Sequence, residues 1–314
     1  MENKCLYCYE PLNDEADFHM KCSREFFGNR VPPKIPYTID QMAELAKNVV
    51  ERSIAVPGVQ AKLSMSLIEE TREYSGTRLT VVGVPGGNFI FKPPSEIFPE
   101  MPQNEHLTMR IAQAFNINVV PSSLIRLASG ELSYITKRVD RSENGEKIHM
   151  LDMFQITGAF DKYKSSMENV GKALHTCSEN TLLDKIFYFE LSVFSFLTGN
   201  NEMHLKNFSM IRSASGWVLA PAYDLLNVAI VLPEDMEELA LTLDGKKKNL
   251  KQEQFVKLGE GLELTGKQIE SVFKRMIKNK PKAIEWIDRS FLSEKMKTDY
   301  KEILNSRYLQ LKLK

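Results

Sequence analysis

The sequence has no net charge to offer: 41 lysines and arginines balance 41 aspartates and glutamates over 314 residues. Such a chain has no overall pull toward nucleic acid or a membrane surface, so any site for a polyanion has to be local. An apolar run long enough to span a bilayer is missing as well, and the start, MENKCLYCYE, is not that of a secretory signal. Cytoplasmic residence without a membrane partner is the expectation. Internal repeats and low-complexity tracts are absent from the sequence. Cysteine is scarce, with four in all: Cys5, Cys8, Cys22 and Cys177. In a reducing compartment a cluster of them reads as metal ligands before disulfides. What is present is an ordinary globular composition, 43% hydrophobic and 26% charged, on a chain long enough for two packed lobes.

Three of the cysteines crowd one end. CLYC at 5–8 and HMKC at 19–22 give C-x2-C-x10-H-x2-C, the ligand arithmetic of a tetrahedral Cys3His zinc site. Three reduced thiols and an exposed histidine would carry the same letters; the knuckle spacing of both clips favours zinc. A site of four protein ligands, Cys5, Cys8, His19 and Cys22, leaves no position for water, so it is structural. It would hold residues 1–30 as a button too small to fold unaided. The acidic EPLNDEADF between the clips argues against contact with single-stranded nucleic acid. On this reading, stripping the metal loosens the N-terminus and spares nucleotide binding elsewhere.

VPPKIPYTID follows as a proline-broken linker, then IDQMAELAKNVVERS as a helix that Thr38 or Asp40 can cap. In SIAVPGVQAKLSMSL a β-like run breaks at Pro57-Gly58 and resumes with Leu63, Met65 and Leu67 on one side. Gly58, with Lys62 nearby, fits a phosphate-cradling turn and a plain hairpin turn equally. RLTVVGVPGGNFIFKPP reads as two strands around Gly86-Gly87, the second ending at Lys92. A lysine at a strand end is ordinarily exposed. Downstream, however, QNEHLTMRIAQAFNI is an amphipathic helix with Glu105 in its first turns. A strand lysine followed by a helical glutamate orients an ammonium onto nucleotide phosphates in several kinase folds. VVPSSLIRLASGELSYITKRVDR adds two strands across Ser129-Gly130.

From about residue 148 the pattern turns helical, beginning with HMLDMFQITG. NTLLDKIFYFELSVFSFLTG is apolar around nearly its whole circumference and reads as a buried central helix ended by Gly199. Directly after it, NNEMHLKN packs Glu202, His204, Lys206 and Asn207 together, and a short hairpin then leads into Asp224. A polar loop capping neighbouring helices would need less. Phosphoryl transfer needs an acid to orient the attacking hydroxyl, and carboxylate and amide oxygens to hold magnesium on the phosphates. In the protein-kinase arrangement the acid precedes the asparagine by five positions and an aspartate follows a hairpin later; Glu202, Asn207 and Asp224 keep that order. Residues 250–314 read as three or four amphipathic helices with basic, solvated faces, and the KKK of LALTLDGKKKNL as a loop.

With VPGVQAKLS, FIFKPP, NEHLTMRIA, YITKRVDR, MHLKNFSMI, PAYDLLN and LTLDGKKKNL in that order, the chain resembles the HipA-like serine/threonine kinases of bacterial toxin–antitoxin modules from about residue 50 to 260. The resemblance implies an α+β, bilobal, protein-kinase-like fold. Its parts would be the zinc-knuckle-like segment 1–30, an antiparallel-sheet N-lobe 31–141 and a mainly helical C-lobe 142–314. It implies that Gly58, Val59 and Gln60 lie in the phosphate loop with Lys62 close by, and that Lys92, paired with Glu105, contacts the ATP phosphates. Lys137 and Val139 would sit near the adenine and His204 beside the phosphates, while Asn207 and Asp224 would bind Mg2+. The catalytic set would be Glu202, Lys92 and His204.

Two departures stand out. Relatives carry an aspartate where this chain has Glu202, and one methylene moves the carboxylate by over an ångström, a displacement that can cost on the order of 100-fold in rate. An impaired nucleotide-binding pseudokinase or scaffold that binds an antitoxin is therefore the alternative to an active kinase. Full-length relatives also carry a further N-terminal subdomain, so the chain looks like the short form whose subdomain is a separate small protein. The other expected partners are a helix-turn-helix antitoxin, through which any DNA contact would run, and a protein substrate such as an aminoacyl-tRNA synthetase. Self-phosphorylation in the phosphate loop has Ser53 as its nearest candidate.

Overall fold

Alternating strands build one antiparallel sheet. The structure, a computed structural model, describes residues 3–42, 44–45, 62–69, 77–82, 87–142 and 144–314. They fall into two compact units, the first comprising Met1–His106, Val120–Glu146 and Arg289–Phe291. In it β1 (Leu63–Glu69), β2 (Thr77–Val82), β3 (Phe89–Lys92), β4 (Ser122–Arg126) and β5 (Leu132–Lys137) lie in the order β2-β1-β3-β5-β4. Every neighbouring pair is antiparallel. A strand's period of two sends Phe89 and Phe91 of β3 to one side and Lys92 to the other. All three are buried, the lysine at 4% exposure.

The Cys/His segment is part of this unit and packs on the sheet. Its helix, Met20–Phe27, stops at Gly28, whose φ of 83° suits a residue without Cβ. Phe26 and Phe27 lie against Phe89, with ring centroids 5.8 and 6.2 Å apart. The Leu124 amide at the outer strand β4 donates to the Leu6 carbonyl at 3.3 Å. At the opposite outer strand, β2, the Leu79 amide donates to the Lys34 carbonyl at 3.0 Å and the Lys34 amide to Thr77 at 3.1 Å. Thr38, not Asp40, caps the turn that follows: its Oγ1 accepts from the Gln41 amide at 3.4 Å while Gln41 Oε1 accepts from the Thr38 amide.

The second unit comprises Leu107–Val119, Lys147–Asp288 and Leu292–Lys314. At its centre the helix Thr181–Leu197 buries Tyr188, Phe189, Phe194 and Phe196. Around it stack Phe115 on Phe194, Phe273 on Phe189 and Phe255 on Phe196. Three helices, Gln252–Gly261, Gly266–Arg289 and Glu294–Gln310, follow in the C-terminal third. One expectation is corrected here: HMLDMFQITG opens with a strand, β6 (Met150–Asp152), not a helix. Its backbone completes a three-stranded sheet with β7 (Ser209–Ser213) and β8 (Gly216–Leu219), pairing Met150 with Ile211. Asp152 then caps the short helix Met153–Ile156 through a capping box with Gln155.

Gly199 ends the central helix and opens the polar loop. Its φ is 68°, and a Cβ there would meet Asn227 Oδ1 at 2.6 Å and Ile303 Cγ2 at 2.9 Å. Its carbonyl accepts from the amides of Val228 and Ala229 at 3.0 and 3.1 Å. Only glycine satisfies the reversal and the close approach together.

Candidate active site

In the first unit, Lys92 Nζ lies 2.6 Å from Glu105 Oε1, with side-chain exposures of 5% and 1%. The ammonium also stands 5.3 Å from the Tyr134 ring centroid, the residue opposite it on β5. Charges this deeply buried need opposite charge close by, because an uncompensated ion in a medium of low dielectric is strongly destabilising. Lys137 ends β5 with its ammonium 5.8 Å from the Phe26 ring centroid, and Val139 is half-buried just beyond. Between them Arg138, with Arg141, grips Asp140 at 2.7 and 2.6 Å. Burial alone would raise the Asp140 carboxyl, but the two guanidiniums more than offset it and hold the group below its ordinary range. Lys62 is exposed at the residue before β1. Gly58, Val59, Gln60 and Ser53 lie outside the described residues.

In the second unit the loop after Gly199 folds back on itself. The Asn207 side chain is buried, and its Nδ2 donates to the Glu202 carbonyl at 2.9 Å. That bond holds the carboxamide through its nitrogen. Backbone bonds from His204 to Glu202 and from Asn207 to His204, at 2.8 and 2.9 Å, tighten the loop into a 3-10 turn over Leu205–Asn207. Glu202 Oε2 accepts from the Tyr163 hydroxyl at 2.9 Å and lies 3.7 Å from His204 Nε2, while the Tyr163 ring meets the imidazole edge-on. Burial pushes the Glu202 carboxyl above its ordinary value; the Tyr163 hydrogen bond and the Lys162 charge pull the other way. On the far side Asn201 donates to Asp235 Oδ2 at 2.9 Å and to the Glu237 carbonyl at 3.0 Å.

Asp224 follows β8 in the left-handed region, with φ of 56°. Its neighbour Tyr223 donates to the Lys206 carbonyl at 2.9 Å and sits 2.6 Å from Ser209 Oγ. This ties the stretch that presents Asp224 to the residue immediately before Asn207. Sequence reasoning missed Tyr163 and Tyr223. The first lies 39 residues before the acid it touches, and no local spacing announces it.

The four N-terminal ligand atoms converge: the sulfurs of Cys5, Cys8 and Cys22 and a ring nitrogen of His19 lie within 4.8 Å of one another. His19 Nδ1 is 3.4 Å from Cys8 Sγ and 3.8 Å from Cys22 Sγ. A tetrahedral zinc ion with bonds near 2.3 Å to sulfur sets its ligands roughly 3.5–3.8 Å apart, so the donor set fits. His19 Nε2 is 3.0 Å from the Pro11 carbonyl. A carbonyl only accepts, so the proton is on Nε2 and the Nδ1 lone pair faces the sulfurs.

An antiparallel sheet with a buried lysine–glutamate pair in one unit, and in the other a helical unit carrying an acid–asparagine loop and a hairpin aspartate, are the parts of a protein-kinase-like α+β fold. Among solved structures it is shared by HipA of Shewanella oneidensis, in complex with HipB and its operator DNA. That structure has a TM-score of 0.67 at 22% identity, covering 88% of this chain and 71% of that one. The Helicobacter pylori proinflammatory kinase CtkA gives 0.54 at 14%, covering 79% and 93%. The model of the HipA-like C-terminal domain matches residues 54–284, and the chain belongs to that family of kinases. A putative kinase of Sinorhizobium fredii, Y4dM, is 30% identical over 77% of this chain and 60% of its own length. A putative kinase of Haemophilus influenzae is 26% identical over 63% and 59%. The serine/threonine-protein kinase toxin HipA of S. oneidensis is 25% identical over 61% and 47%. The chain thus spans between about half and three-fifths of the length of these relatives. Among the described residues no helix is long and apolar enough to cross a membrane.

Proposed function

We propose that the chain is an ATP- and Mg2+-dependent serine/threonine protein kinase and the toxin of a type II toxin–antitoxin pair. The observation that carries the reading is the 202–207 loop. One half-exposed carboxylate is steadied by a phenol, and five residues later a buried carboxamide is tied through its nitrogen to the carbonyl of that same acid. Glu202, raised by its burial, accepts the proton of the attacking hydroxyl at a pH nearer neutrality than an exposed carboxylate would. Asn207 and Asp224 offer the oxygens that suit Mg2+, and Lys92, held by Glu105, offers a fixed ammonium for phosphates. Bound ATP supplies the transferable phosphoryl group. His204 braces the carboxylate side of the loop. A helix-turn-helix antitoxin is the partner we propose by analogy with the HipA–HipB assembly, and a component of translation such as an aminoacyl-tRNA synthetase is the proposed substrate.

Incubation of the chain with γ-labelled ATP, Mg2+ and bacterial lysate is expected to label a protein, and Asp224→Asn to abolish that labelling. Equal labelling by the variant refutes the metal role. If Glu202→Asp raises labelling strongly, the chain is an impaired kinase; if that variant stays silent while still binding ATP, the scaffold reading gains.

A further inference from the structure

The N-terminal cysteines are not used by the chemistry above, yet their segment touches the parts of the first unit that matter most. From Cys8 the chain runs straight into Tyr9, which adopts φ of 62° despite its bulk. That reversal turns the Tyr9 ring inward, to 1% exposure, edge-on to Phe291 and to His106, with its hydroxyl 2.9 Å from His106 Nδ1. His106 is the residue after Glu105 on the helix Met101–Ala114. From Cys22 the chain runs four residues to Phe26 and Phe27, which cover Phe89 three positions before Lys92 on β3. One clip therefore reaches the helix that carries the glutamate, and the other reaches the strand that carries the lysine.

We infer that Cys5, Cys8, His19 and Cys22 hold one Zn2+ ion, and that this centre is the strut that fixes the strand of Lys92 against the helix of Glu105. The two clips are short and separated by a ten-residue loop, and a segment of this size has no core of its own to set their relative position. Four bonds to one ion do so: they lock the Tyr9 reversal to the start of the Met20–Phe27 helix, and with it the two contacts that converge on the buried pair. The ion takes no part in phosphoryl transfer, since four protein ligands close its coordination sphere. Metal removal should then disturb nucleotide binding, contrary to the expectation drawn from a separate button.

The full-length chain purified from zinc-supplemented cells is the material for the test. Elemental analysis is expected to find about one zinc per chain, and Co2+ in its place to give visible absorption of a tetrahedral thiolate site. Hydrogen exchange read by mass spectrometry, with and without a strong chelator, is expected to quicken at least about tenfold across 89–92 and 101–106 and to stay unchanged in 181–197. Tyr9→Phe keeps all four ligands, so it should retain the metal yet quicken exchange in 101–106, and it decides the matter if the stripped chain unfolds throughout. A chain without zinc and without a cobalt spectrum overturns the site. Bound zinc whose removal leaves 89–106 unaltered, or a Tyr9→Phe chain with unaltered exchange there, overturns the strut. None of these readouts requires phosphoryl transfer, so the inference stands or falls apart from the kinase reading.

Discussion

Tyr163→Phe removes one hydroxyl, the donor 2.9 Å from Glu202 Oε2. A hydrogen bond to a charged group contributes about 1.5–3 kcal/mol. The Glu202 side chain is 36% exposed, and solvent screening reduces the figure to about 1 kcal/mol. The sign follows from what the bond favours. Burial raises the Glu202 carboxyl, with the Asp235 charge adding to the rise, while the Tyr163 hydroxyl and the charges of Lys162 and Lys247 favour the ionised form. Loss of the hydroxyl therefore raises the carboxyl further, by about 0.7 pH unit for 1 kcal/mol. On the proposed reading Glu202 is the base and must be ionised to act, so the acid limb of the kcat/KM profile should move up by that amount, with about a fivefold loss of rate below it. ATP affinity should not change. In a Glu202→Asp background the shorter carboxylate is placed less well for the phenol, and the effect should shrink, a coupling that a double-mutant cycle reads directly. An unmoved acid limb, or an equal loss in both backgrounds, refutes the role of Tyr163 as the residue that seats this longer acid.

Two further outcomes follow from the first unit. Glu105→Gln removes the carboxylate 2.6 Å from the buried Lys92 ammonium and is expected to cost about 3–5 kcal/mol in chemical denaturation; a loss below about 1 kcal/mol, the range of a surface pair, would contradict the burial argument. Asp140→Asn removes the carboxylate between Arg138 and Arg141. Because the folded-state carboxyl sits below its ordinary value of 3.8, its stabilisation is present above that value and lost as pH falls through the lower folded one. Asp140→Asn should therefore destabilise the chain at neutral pH, and the gap should close in acid; a gap independent of pH would show that the guanidiniums do not act through charge.

Much of the architecture was legible because it rests on periodicity. The alternation of FIFK and LSYITK gave strands, and the uniformly apolar FYFELSVFSFL gave the central helix. Spacing placed Glu202 and Asn207 in one loop, yet it could not say that the Asn207 nitrogen would turn to the Glu202 carbonyl. Two things escaped. The strand Met150–Asp152 is three residues long, and its state is decided by a partner 59 positions later, Ile211 beside Met150, rather than by its own letters. Tyr163 sits in a loop of lysines and serines, where a tyrosine reads as surface. Its hydrogen bond to Glu202 is a tertiary contact that no local pattern encodes. Lys92 is a mixed case: the glutamate of the next helix marked it as a paired ammonium, but nothing in the letters of a strand-end lysine, ordinarily solvated, announced its burial.

The sheet of the first unit has its two outermost strands closed by the same stretch of chain, at Leu6 on one flank and at Lys34 on the other. Cutting away the first 35 residues would bare the backbone groups of Leu124 on one flank and of Thr77 and Leu79 on the other at once, together with the ring of Phe89. Exposed backbone groups of that kind recruit strands from other molecules. A version of the chain shortened in this way should accordingly self-associate.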